Sequence, residues 1–129
     1  MRVRHITVSI ARPCEDVYEF LAEPANFERW ASGLGNGLRL VGDKVWRAEG
    51  PDGAVTVRFS DRNAYGVLDH EVETPTGERI LNPMRVVPNG SGSEVVFTVF
   101  QRPGVSDETF EADANWVSRD LQALKQLLE

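Results

Sequence analysis

Residues 106–129, SDETFEADANWVSRDLQALKQLLE, decide the fold of this chain. Their apolar residues recur at intervals of four and three, the one-sided pattern of an amphipathic helix. The stripe consists of Phe110, Ala114, Val117, Leu121, Leu124 and Leu128. Ser106 precedes it as a typical N-cap, and Asp107 and Lys125 suit the two ends of the helix dipole. The sequence therefore predicts a long C-terminal helix with one buried face.

The chain before this helix alternates polar and apolar residues, as strands do. Residues 4–10 predict a first strand, and six further strands fall between residues 38 and 101, separated by turn signals. Pro13 opens a short helix after the first strand, and residues 27–31 form a second one. A run of strands beside a terminal helix favours an α+β fold with an antiparallel sheet. We expect a single domain over residues 1–129, because neither a linker nor a repeat divides the sequence.

The composition excludes several classes of protein. Of the 129 residues, 41% are hydrophobic and 26% are charged, which excludes a disordered chain. A single cysteine, Cys14, excludes a disulfide within the chain. The net charge is −6 without a basic stripe, so neither nucleic acid nor membrane is an expected partner. The sequence has no apolar run of about 18 residues, and we expect a cytoplasmic protein.

One hairpin fixes the position of a candidate site. Pro75-Thr76-Gly77 suits a three-residue turn, with proline first and glycine in the left-handed position. Such a turn pairs Thr74 with Glu78, and counting back along both strands places His70 directly opposite Asn82. Both side chains face the core if the charged residues of these strands face water. The outward set is then Asp69, Glu71, Glu73, Arg79 and Arg85.

His70 is the one readily titratable side chain that this pattern sends inward, and Asn82 can fix its tautomer by a hydrogen bond. It is the candidate for the polar anchor of a ligand, or for a general acid/base in an apolar pocket. The alternative is a satisfied interior pair with a structural role. In each case burial should lower the pKa of His70. His5 falls on the polar face of the first strand, and neither a metal nor a cofactor is expected, because the sequence holds no ligand cluster.

Two N-terminal stretches carry a resemblance to a known family. They are ITVSIARPCEDVYEFL at residues 6–21 and PANFERW at residues 24–30. The chain resembles the START/Bet v 1-like (SRPBCC) superfamily, in its polyketide cyclase/dehydrase branch. The resemblance implies a helix-grip fold, in which a curved antiparallel sheet of about seven strands surrounds the long C-terminal helix. It also implies two short helices after the first strand and a cavity between the sheet and the long helix.

The same resemblance implies the binding or carriage of a small apolar or aromatic molecule in that cavity. Two alternatives stay open: a cyclase/dehydrase-type enzyme with His70 as acid/base, and an interaction domain with a filled core, similar to the chaperone activators. Whether the chain is an enzyme is left open by the sequence. We expect the ligand to contact His70, Asn82, Leu68, Met84, Tyr65, Trp46, Val117 and Leu121.

The outward face of the sheet carries apolar residues that predict a contact between copies of the chain. Val96 and Phe100 lie on the last strand, and Leu81 and Val87 lie on its neighbour. Apolar patches of this kind mark many protein contacts, so we expect a weak homodimer. The alternative is that the long stems of neighbouring arginines cover the patch.

Overall fold

The computed structural model of the chain describes residues 1–32 and 36–129. Within these ranges the chain forms three α-helices, a short 3-10 helix and eight strands. In chain order they are β1 (Val3–Ile10), α1 (Cys14–Ala22), the 3-10 helix (Pro24–Asn26), α2 (Phe27–Trp30), β2 (Asn36–Gly42), β3 (Val45–Gly50), β4 (Gly53–Phe59), β5 (His70–Glu73), β6 (Arg79–Asn82), β7 (Met84–Asn89), β8 (Gly92–Phe100) and α3 (Asp107–Leu128). The predicted α+β class, the two short helices and the long C-terminal helix are confirmed.

The described strands form two antiparallel sheets, where the resemblance implied one. The three-stranded sheet has the order β1-β8-β7, and the five-stranded sheet has the order β2-β3-β4-β5-β6. The division falls at Pro83, inside the strand predicted over residues 79–87. Proline has no N–H to donate to a neighbouring strand, and the N–H of Met84 donates to the Asp69 carboxylate at 2.8 Å. The chain therefore leaves β5 after Asn82 and pairs with β8 from Met84 onward.

The strand predicted over residues 67–74 is also shorter than expected, because its first part runs beside β7 instead of β6. The N–H of Leu68 donates to the carbonyl of Met84 at 2.8 Å, and the N–H of Val86 donates to that of Gly66 at 3.0 Å. Gly66 has φ +70°, and a Cβ there would lie 2.1 Å from the Val86 carbonyl oxygen. Only glycine fits at that position. The close approach of residues 66–68 to β7 makes the two sheets continuous.

The long helix covers the three-stranded sheet. α3 lies against β1, β8 and α2, while α1 lies against β7 and β8. The predicted N-cap is confirmed, since the Ser106 hydroxyl accepts a hydrogen bond from the Thr109 N–H at 3.1 Å. Of the predicted stripe, Val117 and Leu128 are half-buried. The fully covered residues of the stripe are Phe110, Ala114, Leu121 and Leu124.

The outer face of the five-stranded sheet is charged. Arg58 and Arg79 each lie between Glu71 and Glu73, with nitrogen–oxygen distances of 3.1–3.8 Å. The register of the hairpin predicts that Glu71, Glu73 and Arg79 face outward, and they do. Among the helices in the described part of the chain, none combines the length and the apolar character needed to span a membrane.

Candidate functional site

The hairpin that carries the candidate site has the predicted register. The N–H of Thr74 donates to the carbonyl of Glu78 at 2.8 Å, and the N–H of Gly77 donates to that of Thr74 at 2.9 Å. Gly77 has φ +89°, the left-handed conformation that closes a three-residue turn. His70 and Asn82 are cross-strand partners as a result. The turn chemistry therefore sets which residues stand at the start of β5.

His70 lies inside a set of aromatic rings that come from three distant parts of the chain. Its side chain is buried, with 4% of the residue exposed. The imidazole meets Phe27 of α2 at a ring-centroid distance of 5.3 Å and Phe97 of β8 at 5.6 Å, both edge to face. Phe59, its partner on β4, is tilted against it at 6.1 Å. The histidine therefore sits where both sheets and α2 converge.

Burial changes the proton chemistry of this ring. Desolvation lowers the pKa of His70 from 6.5 to about 4, because the charged imidazolium loses its hydration. A hydrogen bond to Leu68 and the negative charge of Asp69 oppose this shift but are smaller causes. The imidazole is therefore neutral at pH 7, as the sequence led us to expect.

The partner that orients the ring differs from the predicted one. The Nδ1–H of His70 donates to the backbone carbonyl of Leu68 at 3.3 Å. A carbonyl can only accept, so Nδ1 carries the proton and Nε2 has a free lone pair. Among the described residues no hydrogen bond joins His70 to Asn82, and none reaches Nε2. Asn82 lies opposite His70 in the ladder, but the Leu68 carbonyl accepts the hydrogen bond of the ring instead.

A small cavity adjoins the imidazole. Its volume is about 20 Å³, and roughly 10–15 Å³ is enough for one water molecule. Of the residues predicted to contact a ligand, Leu68, His70 and Met84 line it. The rest of the wall comes from α1, α2, the end of β4 and the segment after it, namely Tyr18, Leu21, Ala22, Phe27, Trp30, Phe59, Ser60 and Val67. In this conformation the cavity has the volume of about one water molecule and is too small for an organic ligand.

The other predicted contacts lie elsewhere. Tyr65 is 82% exposed, because its loop turns outward around Asn63, whose side chain accepts the Tyr65 N–H at 2.9 Å. Trp46 pairs with Val57 on the same sheet as His70 but two strands away. Leu121 is completely buried in the core, where it fills space and leaves no room for a ligand. Val117 and Asn82 are half-buried and do not line the cavity.

The sequence argument missed the aromatic walls of the site. Phe59 could have been found, because it follows Val55 and Val57 on one face of β4 and the register places it beside His70. Phe27 and Trp30 gave no comparable signal. They lie far from His70 in the sequence, and only the packing of α2 against the sheets brings them close to it. The rings of Phe27 and Trp30 contact each other edge to face, with their centroids 5.3 Å apart.

The arrangement can accept a hydrogen bond at Nε2 inside an aromatic enclosure. His70 and Asp69 supply no acid at neutral pH, since the imidazole is neutral and Asp69 points away to the Met84 N–H and the Arg85 guanidinium. The Tyr18 hydroxyl also lines the cavity, and it accepts the Asn63 N–H at 2.9 Å. Within residues 1–32 and 36–129, no three His, Cys, Asp or Glu side chains come together as metal ligands. The site is therefore suited to recognising a neutral polar group.

The order of the strands, the two short helices and the long C-terminal helix are those of a helix-grip domain of the START/Bet v 1-like class. The chain belongs to the family described as polyketide cyclase / dehydrase and lipid transport, which it matches over residues 3–129. The predicted family is thus confirmed over nearly the whole chain. A search of curated proteins found no match to the sequence.

Solved structures share the fold at low sequence identity. An uncharacterised protein from Bacillus thuringiensis is 20% identical, with a TM-score of 0.78 and 98% of each chain covered. The Aha1 dimer from Colwellia psychrerythraea is 15% identical, with a TM-score of 0.73 and 100% of this chain and 97% of that chain covered. The di-domain ARO/CYC BexL from the BE-7585A biosynthetic pathway is 21% identical, with a TM-score of 0.75; 98% of this chain and 46% of BexL are covered.

Proposed function

We propose that the domain binds one small molecule with an apolar body and a hydroxyl-like polar end, which donates a hydrogen bond to Nε2 of His70. The observation that carries the proposal is a neutral imidazole whose free nitrogen adjoins a cavity walled by aromatic rings. Apolar walls with one convergent polar group are typical of small-molecule sites. The family, which includes lipid transport in its description, supports the same function.

Binding requires the cavity to grow from its present volume of about 20 Å³. Phe27 and Trp30 both line it and both belong to α2, a helix of only four residues. An outward shift of α2 would remove one aromatic wall and expose the edge of the His70 ring. The ligand would then replace the ring contacts that Phe27 now makes with His70 and Phe59.

Binding is favoured over acid/base catalysis by the proton chemistry of His70. With a pKa of about 4 the imidazolium is scarce at neutral pH, so the ring is a poor general acid. A base with so low a pKa is also weak, because efficient proton transfer needs a pKa near the working pH. The cyclase/dehydrase candidate would need a proton donor other than His70, and the hydroxyl of Tyr18 lines the same cavity.

The second candidate is an interaction domain with a filled core. Its support is the water-sized cavity and the close ring packing around His70. In that case His70 closes a small polar gap, and no organic molecule enters. The two candidates make opposite predictions about probe binding.

The proposal is tested with two aromatic probes of nearly equal size, 2-naphthol and 2-methylnaphthalene. Native mass spectrometry of freshly purified protein first shows whether a molecule co-purifies. Calorimetric titration should then give tighter binding of the naphthol, and His70→Leu should weaken it about 3- to 10-fold, the value of one hydrogen bond. Methylnaphthalene binding should be unchanged by that substitution.

His5→Gln is the matched control, since His5 is the other imidazole of the chain and lies exposed on β1. It should change neither affinity. Equal losses for both probes in His70→Leu would assign the histidine a structural role. If neither probe binds saturably and nothing co-purifies, the filled-core candidate is the better one.

A further inference from the structure

A second concavity lies on the outside of the molecule, between α2 and the middle of α3. Its volume is about 340 Å³, within the range of roughly 300–1,000 Å³ that is usual for small-molecule sites. Its main lining residues are Arg29, Trp30, Ser32, Trp116, Arg119 and Asp120. We call it the α2–α3 cleft. Trp30 also lines the internal cavity, so one indole separates the two spaces.

Trp116 provides the cleft with a fixed aromatic surface. Its indole is 46% exposed, although Nε1–H donates to the Ser32 hydroxyl at 2.9 Å. Ser32 in turn donates from its hydroxyl to one oxygen of Asp120 at 2.6 Å and from its N–H to the other at 3.2 Å. These bonds hold the indole in place from one edge. A large apolar ring that is both exposed and held in one orientation is a ready stacking surface.

Two arginines line the same cleft. Arg119 lies over the Trp116 ring at 5.1 Å from its centroid, and Arg29 lies over Phe20 at 5.2 Å. Arg29 also donates to the side-chain oxygen of Asn26 at 3.3 Å. Among the ion pairs of the described residues, neither arginine has a carboxylate partner. Both can therefore take up an external anion without breaking an existing pair.

The two carboxylates of the cleft are already engaged within the chain. Asp120 accepts both bonds from Ser32, and Glu28 accepts the N–H of Leu38. They do not neutralise the guanidinium groups by direct contact. What remains for a ligand is a flat aromatic surface beside two arginines, which bind carboxylates through paired, planar hydrogen bonds.

We propose that the α2–α3 cleft is a second ligand site, which takes a free planar aromatic carboxylate. The ring of the ligand lies against Trp116, and its carboxylate accepts hydrogen bonds from Arg119 and Arg29. This site differs from the internal one in both position and chemistry, because His70 recognises a neutral donor. The cleft is present while the internal cavity has its present volume, so this site does not require that cavity to open.

The test is a titration of ¹⁵N-labelled protein with 2-naphthoate and with its neutral analogue, 2-naphthamide. The indole N–H signal of Trp116, assigned through Trp116→Phe, should shift saturably with naphthoate. We expect the carboxylate to bind at least about 10-fold more tightly than the amide, the size of a charge-assisted hydrogen bond. Arg119→Gln should remove that preference while leaving amide binding unchanged.

Arg47→Gln is the matched control, since Arg47 is an exposed arginine on β3 and its loss changes the net charge equally. It should leave naphthoate binding unaltered, as should His70→Leu. Equal affinities for naphthoate and naphthamide, or equal losses in Arg47→Gln and Arg119→Gln, would overturn the proposal. So would the absence of a saturable shift at Trp116, or shifts confined to His70 and Phe97, which would assign the probe to the internal cavity.

Discussion

The two sheets of the molecule are covered to different depths. On the three-stranded sheet, Ile10, Val86 and Val95 are at most 2% exposed, because α1 and α3 lie directly on their face. On the five-stranded sheet, burial is complete only in the middle strands. Val57 has no exposed surface, whereas Leu40 on the edge strand β2 is 60% exposed. Apolar residues of similar kind are therefore buried in the three-stranded sheet and exposed at the edge of the five-stranded sheet.

This difference shows that helix cover and the position of a strand within its sheet decide where burial is completed. His70 marks the boundary. It belongs to the five-stranded sheet by pairing with Asn82, yet it contacts Phe97 of the three-stranded sheet. A polar side chain at this boundary is buried, and the small cavity lies beside it.

The largest expected effect compares one leucine from each environment. Leu121→Ala removes a completely buried side chain that packs in the core under α3. It should lower the free energy of unfolding by about 2–5 kcal/mol, as cavity-forming substitutions do. Leu40→Ala, at the uncovered edge, should cost less than about 1 kcal/mol. Urea unfolding of both variants measures the contrast, and equal midpoints would contradict it.

The next largest effect is a pH dependence of stability, which arises from His70 at the boundary between the two sheets. The pKa of His70 is about 4 in the folded protein and 6.5 when the ring is free in water. Below pH 6.5 His70 binds a proton in the unfolded chain but not in the folded chain, so the free energy of unfolding falls as the pH drops toward 4. The contribution lost is about 3 kcal/mol, at 1.36 kcal/mol for each pKa unit.

Urea unfolding between pH 7 and pH 4 tests this dependence against two variants. His70→Leu should flatten the decline by the amount that His70 contributes. His5→Gln removes the other imidazole of the chain, so the contrast between the two variants isolates the contribution of His70. A parent-like pH dependence in His70→Leu would mean that the ring is not desolvated by folding.

A smaller effect is expected on the charged outer face of the five-stranded sheet. Arg79 lies 3.4 Å from Glu73 and 3.8 Å from Glu71, with 61% of its side chain exposed. Exposed ion pairs contribute about 0–1 kcal/mol, so Arg79→Ala should reduce stability by no more than that. The loss should vanish in about 1 M salt, where charges are screened within about 3 Å. Arg47→Ala is the control, and a loss that persists in salt would indicate packing of the arginine stem.

Substitutions that change self-association are expected to have the smallest effect on stability. Val3, opposite Phe100 in the ladder, is 42% exposed, and Leu81 and Val87 are 53% and 42% exposed. We propose that this outer surface forms a weak homodimer, which Phe100→Asp or Leu81→Asp should shift toward monomer in sedimentation experiments. Leu127→Asp places the same charge on an exposed leucine of α3 and should not. A parent protein that sediments as a monomer at high concentration rules out the dimer.

Local chemistry made much of the fold predictable. The turn at Pro75-Thr76-Gly77 set the pairing of His70 with Asn82, because a three-residue turn leaves one register. The apolar spacing of residues 106–128 and the hydroxyl of Ser106 defined α3 and its buried face for the same reason. These features depend on residues that are neighbours along the chain, and they could be worked out from the sequence.

The cavity could not be predicted in the same way. Its size depends on how closely Phe27, Phe59 and Phe97 approach His70, and these side chains come from segments far apart in the sequence. The orientation of Tyr65 was equally unpredictable, because a residue in a loop can face either the cavity or the solvent. In the folded chain its side chain faces the solvent. Distances between non-neighbouring segments follow from side-chain volumes throughout the core, which no local pattern encodes.

The sequence by itself determined the class of fold, the family, the register of the β5–β6 hairpin and the burial of one histidine. The tertiary structure decided that the chain changes sheets at Pro83, that Leu68 rather than Asn82 orients the imidazole, and that the space beside it is water-sized. The physical reason is the range of the interactions. Periodicity and turn chemistry act over a few residues, whereas hydrogen-bond partners and cavities are set where distant segments meet.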